Sequence, residues 1–254
     1  MVRPIVNRFK DGNSVANQVA NDLLEFLKEK LASQTRVDLA VTGGTVGIAT
    51  LTACADLPFS KLDLARLHIW WGDERFVESD SDDRNAKQAQ GAWISRLNIP
   101  SQNIHEFPAK SANLNLDEAA SLFEDQFASA GISFDLMLMG MGPDGHIASL
   151  FPGKELPAAG IDVIAEPDSP KPPAERISLT FEALNRIDEI WFTVAGADKV
   201  EIVGVNDLTD NKTLAHLLHY DSDGLTSVDI DNRLFRQNPL RAHCNASTWT
   251  KAWW

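Results

Sequence analysis

Apolar residues recur at Val15, Val19, Leu23, Leu27 and Leu31, a four-residue spacing that lines one face of a helix over residues 13–31. The pattern then changes. Short apolar runs at 39–41, 67–71, 134–139 and 189–194 are each followed by glycine and then a helix-compatible segment. Strand, loop and helix in repetition predict an α/β fold whose parallel strands are joined by crossover helices. Ligands in such sheets bind beyond the carboxyl ends of the strands, so chemistry is expected in the loops that follow the four runs.

No repeat, low-complexity tract or Gly/Ser linker divides the chain, and Pro167, Pro170, Pro172 and Pro173 mark a stiff surface loop without a clear boundary. Residues 1–254 are therefore read as one domain. The 23 basic against 36 acidic side chains leave a formal charge of −13, which disfavours a nucleic-acid partner. The longest uncharged stretch, 39–55, is too polar and too short for a membrane span. Arg3, Arg8, Lys10 and Asp11 leave no apolar core for a secretory signal. Cys54 and Cys244 read as ordinary thiols of a reducing compartment, so a cytoplasmic protein is expected. Its oligomeric state, monomer or dimer, is open.

The post-strand loops differ in what they offer. Thr42-Gly43-Gly44-Thr45-Val46-Gly47 combines adjacent glycines with a helix start, which suits an anion, phosphate first, or else forms only a tight turn. Its spacing fits neither the dinucleotide fingerprint nor the Walker loop. Gly72-Asp73-Glu74-Arg75 places charges just past a buried strand: Arg75 could grip phosphate or sit in an ion pair with its acidic neighbours. The acidic run Glu78, Asp80, Asp82 and Asp83 reads as a solvated loop rather than a metal cage.

Residues 134–153, FDLMLMGMGPDGHIASLFPG, run a strand into a glycine-rich turn with Asp144 and His146. An imidazole there can take and return a proton near neutrality, with Asp144 orienting it or binding substrate, although packing histidines are common. Arg176-Ile177-Ser178-Leu179-Thr180 alternates like a strand, and residues 196–199 start a helix bearing Lys199. Arg176 and Lys199 either converge on an anion or lie on the surface. His216 and His219 are three apart, as helical metal ligands can be, yet no cysteine or third histidine accompanies them, so no metal site is expected.

Taken together, GMGPDGHIASLFPG, WGDERFV, RISLTFEALN and the Gly196-to-Lys199 step resemble the bacterial 6-phosphogluconolactonases, with the TGGTVGIA and DDRN segments of their actinobacterial-like members. The resemblance covers almost the whole chain. It implies the glucosamine-6-phosphate deaminase and ribose-5-phosphate isomerase type of fold: a Rossmann-like α/β/α sandwich with a mostly parallel sheet and a small accessory substructure. It makes His146 the general base, places Asp144 in the same signature turn, and assigns Gly43, Gly44, Thr45, Arg75, Arg176 and Lys199 to phosphate or substrate. The expected reaction is hydrolysis of a sugar-phosphate lactone, 6-phospho-D-glucono-1,5-lactone, without metal or organic cofactor.

The chain departs from the family pattern where Val46-Gly47 replaces Thr-Pro, and in its tail RAHCNASTWTKAWW. Amino-sugar phosphate isomerases and deaminases share the Asp-Gly-His turn, but their Asn-Glu-Pro continuation is absent; here the turn runs Ile147-Ala148-Ser149-Leu150-Phe151-Pro152-Gly153. A non-catalytic sugar-phosphate sensor would keep the anion loops and need no base. A serine hydrolase is excluded by the lack of a Gly-x-Ser-x-Gly elbow.

Overall fold

The computed structural model describes residues 5–155, 157–199 and 215–221. Cys244, the 245–247 sequon and Trp253-Trp254 lie outside the described residues. Helix α1 (Gly12–Ser33) buries Val15, Val19, Leu23, Leu27 and Leu31, the stripe expected, and the Asp11 carboxylate caps it by accepting the Ser14 N–H at 2.7 Å. Strand β1 (Ile5–Phe9) precedes it; β2 (Val37–Val41), helix α2 (Gly44–Cys54) and β3 (Leu67–Trp71) follow. After β3 come β4 (Asp73–Arg75), α3 (Asn85–Ala92), α4 (Leu116–Ala130), β5 (Leu136–Met139), β6 (Val163–Glu166) and β7 (Arg176–Leu179). A short α5 (Phe181–Leu184), β8 (Glu189–Ala195) and β9 (Ala215–Asp221) complete the described elements.

The main sheet has the order β1-β9-β8-β5-β2-β3. Its four expected strands β3, β2, β5 and β8 are parallel, whereas β9 runs antiparallel between β8 and β1. Ala40 pairs with Trp70 and with Met137, and Met137 with Ile190, so Trp70 and Trp191 project from opposite faces. Phe123 and Phe127 of α4 pack edge-on to Trp70, while Phe26 of α1 packs edge-on to Trp191, so helices cover both faces. This is the α/β/α sandwich, and its central strands are buried throughout, as a doubly covered parallel sheet requires.

Simple alternation fails at two places. After β3 and after β5 the chain leaves the main sheet without a direct crossover helix and builds a second, antiparallel sheet of order β4-β7-β6. Pro152, Pro157, Pro167 and Pro170 deny helix to the segment before β7, whose edges then pair with β4 and β6. His216 and His219 belong to a strand, so a helical ligand spacing does not apply to them.

Near the amino ends of β2 and β3, Asp38 accepts the Trp70 indole N–H at 2.8 Å and both Arg36 donors at 2.7 and 2.8 Å. His105 stacks on Trp70 with ring centroids 3.7 Å apart and shares a hydrogen bond of 2.9 Å with His68. This polar knot ties the sheet at the end opposite the loops that concern function.

Candidate active site

The loops after β2, β3, β5 and β8, the start of α1 and the β6–β7 loop line one cavity of about 750 Å³. Its position at the carboxyl ends of the parallel strands is where the sequence pattern placed the chemistry.

In the turn after β5, the Gly142 N–H donates to the His146 carbonyl at 2.8 Å and the Gly145 N–H to the Gly142 carbonyl at 3.0 Å. This lays His146 and Asp144 against Gly142. A Cβ at 142 would overlap both the imidazole and the Asp144 carboxylate, so glycine is needed for close approach. His146 Nδ1 lies 2.5 Å from Asp144 Oδ1. With Nδ1–H donated to the carboxylate, Nε2 is the basic atom. His146 lines the cavity with 16% of its side chain exposed, beside the Phe151 ring at 4.6 Å, while Asp144 supports the ring from behind.

Burial lowers the imidazole pKa below its ordinary value; Asp144 pulls it up, and Lys171 adds to the lowering. Burial pushes Asp144 upward, but its hydrogen bond to His146 and the neighbouring charges leave it below the usual carboxylate range. The result is a neutral imidazole against a charged carboxylate at neutral pH.

Arg75 and Arg176 stand directly opposite each other across the antiparallel β4–β7 pair, and both line the cavity. Like charges so placed repel, which a bound dianion would relieve. Arg176, 5% exposed, donates Nε–H to the Pro173 carbonyl at 2.7 Å and Nη2–H to those of Lys171 and Pro172 at 3.1 and 3.3 Å. Arg75 donates to the Asp83 carbonyl at 2.6 Å. Of the acidic neighbours expected as rival ion-pair partners, Asp73 and Glu74, the latter faces another arginine: Glu74 lies 3.9 Å from Arg84. The Glu74 carboxylate accepts the backbone N–H groups of Arg75, Asn85 and Ala86 at 2.7, 2.7 and 2.8 Å, which makes it a buried cap for α3. Burial raises its pKa.

Gly43 is the N-cap of α2 and Gly44 and Thr45 begin its first turn; a glycine cap brings no side chain to that end, and all three residues line the cavity, where a helix start and its positive dipole suit an anion. Gly43 presses on Asn85, where a Cβ would overlap the amide. Lys199, half-buried at the end of the described turn 197–199 after β8, reaches the same cavity; burial lowers its pKa and Asp198 opposes. All the expected site residues except Asp144 thus line this cavity.

Three lining residues had not been singled out. Asp73 accepts the Ser149 hydroxyl at 2.6 Å, and its carbonyl accepts the Asn85 amide at 2.9 Å. Lys171, from the proline-rich loop, lies 3.5 Å from Asp144 Oδ1. Among the described residues, four cationic side chains (Arg75, Lys171, Arg176, Lys199) line the cavity with two carboxylates (Asp73, Asp198), a local positive bias within a chain of formal charge −13. Screening over about 8 Å leaves the local charges in control.

Residues 10–213 match the family described as glucosamine-6-phosphate isomerases/6-phosphogluconolactonase. The chain belongs to this family. Among its relatives, the 6-phosphogluconolactonase of Mycobacterium leprae is 37% identical over 207 residues, 78% of this chain and 83% of that one. The 6-phosphogluconolactonase of Streptomyces coelicolor is 34% identical over 210 residues, 77% of this chain and 80% of its own. The crystal structure of the Thermotoga maritima 6-phosphogluconolactonase superposes with a TM-score of 0.67 at 29% identity, covering 77% and 85% of the two chains. That of Trypanosoma brucei reaches 0.71 at 21% identity over 83% and 89%, a likeness of fold. The mostly parallel sandwich with an accessory sheet is thus a family fold.

Proposed function

We propose that this protein hydrolyses 6-phospho-D-glucono-1,5-lactone to 6-phospho-D-gluconate, the second step of the oxidative pentose phosphate pathway. The observation that carries the reading is His146, its Nδ1 held by Asp144, lining one cavity with Arg75, Arg176, Lys199 and the glycine-capped start of α2. The relatives named above support the same reaction.

In this mechanism Arg75, Arg176, Lys199 and the Gly43–Thr45 amides hold the phosphate. His146 Nε2 takes a proton from water as its oxygen bonds to the lactone carbonyl carbon. The tetrahedral intermediate then expels the ring oxygen, which receives that proton from His146. Such acid–base work contributes about 10²- to 10⁴-fold in rate. No metal or organic cofactor takes part. A bound dianion about 4 Å from one cation gains about 4 kcal/mol per unit charge at an effective dielectric near 20, before desolvation.

The test is acid production from freshly prepared 6-phosphogluconolactone, corrected for spontaneous opening, with wild type beside His146→Asn. The variant should keep substrate binding and lose turnover by about 10²-fold or more. Undiminished turnover would remove His146 from the reaction. Ammonia release from glucosamine 6-phosphate by the wild type would turn the assignment to a deaminase.

A further inference from the structure

A carboxylate in contact with an imidazole favours the imidazolium, and an imidazolium cannot accept a proton from water. Yet His146 has just such a neighbour. The groups that face it are Asp144 from its own turn, Asp73 from β4, the Phe151 ring, and Lys171 from the loop between β6 and β7. Lys171 Nζ stands 3.3 Å from His146 Nδ1 and 3.5 Å from Asp144 Oδ1. An ammonium is a donor only, so it cannot accept the Nδ1 proton; both donors converge on the one carboxylate oxygen.

We infer that Lys171 is a positioning residue for lactone hydrolysis: by sharing Asp144 with His146 it offsets the carboxylate's charge and keeps the imidazole in its proton-accepting form. The inference deepens the proposed lactonase reading and rests on it. Lys171 is built in place. Its backbone N–H donates to Ser169 Oγ at 3.2 Å, its carbonyl accepts the Ser169 hydroxyl at 3.0 Å, and Arg176 Nη2–H donates to that same carbonyl at 3.1 Å. The arginine assigned to phosphate therefore also holds the loop that brings the ammonium to the base. Burial and the Lys171 charge both act against protonation of His146, in line with this role.

The experiment is an NMR titration of the His146 ring in wild type, Lys171→Met, Lys171→Gln and Lys171→Arg, with the pH dependence of kcat/KM for lactone hydrolysis measured on the same proteins. Because the Lys171 side chain is 40% exposed, the expected rise in the His146 midpoint on loss of the cation is about one pH unit, the low end for a like charge at this range. Lys171→Met and Lys171→Gln should show that rise, and the acid limb of kcat/KM should move with it, while the high-pH plateau stays within a few-fold of wild type. Lys171→Arg should titrate as wild type does. An unmoved midpoint in both neutral variants, or the same rise in Lys171→Arg, overturns the inference. If wild type hydrolyses no lactone, the functional reading fails, and the ring titration still decides whether Lys171 governs the protonation of His146.

Discussion

Gly142→Ala is the sharpest probe of the site, because it adds one methyl group at a point where the structure has no room. That methyl would overlap the His146 ring and the Asp144 carboxylate, and ordinary van der Waals contact begins only near 3.4 Å. The imidazole must therefore retreat by more than about 1 Å, and a misplacement of that size costs roughly 10²-fold in rate, about 2.7 kcal/mol of barrier. Gly142 is not among the positive-φ glycines, so alanine brings no backbone strain. The overpacking should cost about 1–3 kcal/mol of stability, so rates are to be measured well below the melting temperature. In the lactone assay kcat should drop about 100-fold with KM within a few-fold, since the groups proposed for phosphate lie on other elements. A folded variant with wild-type kcat would refute the placement of the base.

Arg75→Ala and Lys199→Ala should each raise KM more than they lower kcat, because a non-reacting phosphate is gripped alike in ground and transition states; unchanged KM in both would discard their phosphate role. Arg176→Ala should raise KM and also lower kcat, since Arg176 holds the Lys171 loop as well. The acid limb of kcat/KM should have its midpoint below 6.5, because burial depresses the His146 pKa and the base is active when neutral; a midpoint above 6.5 would contradict this. At the other end of the sheet, burial, together with the His68 charge, pulls the His105 pKa down from 6.5 to about 4. The unfolded chain then binds more protons between those values, so stability is full above about pH 6.5 and is lost as pH falls toward 4. Allowing for partial exposure the loss is about 2 kcal/mol, and denaturant midpoints in His105→Gln should fall less steeply than in wild type over this window.

Much of this architecture was legible because burial leaves a periodic trace. The four-residue stripe of α1 and the continuous apolar runs of β2, β3, β5 and β8 are what doubly covered elements demand, and the position of the cavity followed from their direction. The edge strands and the accessory sheet were less visible, since β4 has only three residues and its pairing with β7 is set by contacts about a hundred residues away. In β7 the alternation Arg176-Ile177-Ser178-Leu179 did mark a strand, but its polar positions are buried, with Arg176 on the cavity wall and Ser178 Oγ accepting the Ser149 N–H at 3.1 Å. Lys171 escaped notice because it sits among prolines, where the composition signals a stiff loop and nothing in the spacing tells of a histidine 25 positions earlier. Asp73 and Asn85 hold each other through backbone and side chain, a relation that only the folded chain displays.

The placement of β9 between β8 and β1 bears on how the protein is made. Among the described residues, β1 pairs in the main sheet only with residues 215–221, which are made about 200 positions after it. Until that segment emerges, β8 presents a bare backbone edge and β1 lacks the partner it has in the folded sheet. The sheet is closed by a late arrival that inserts between two strands made before it, so nascent chains stalled before residue 215 should be the ones that need chaperone protection.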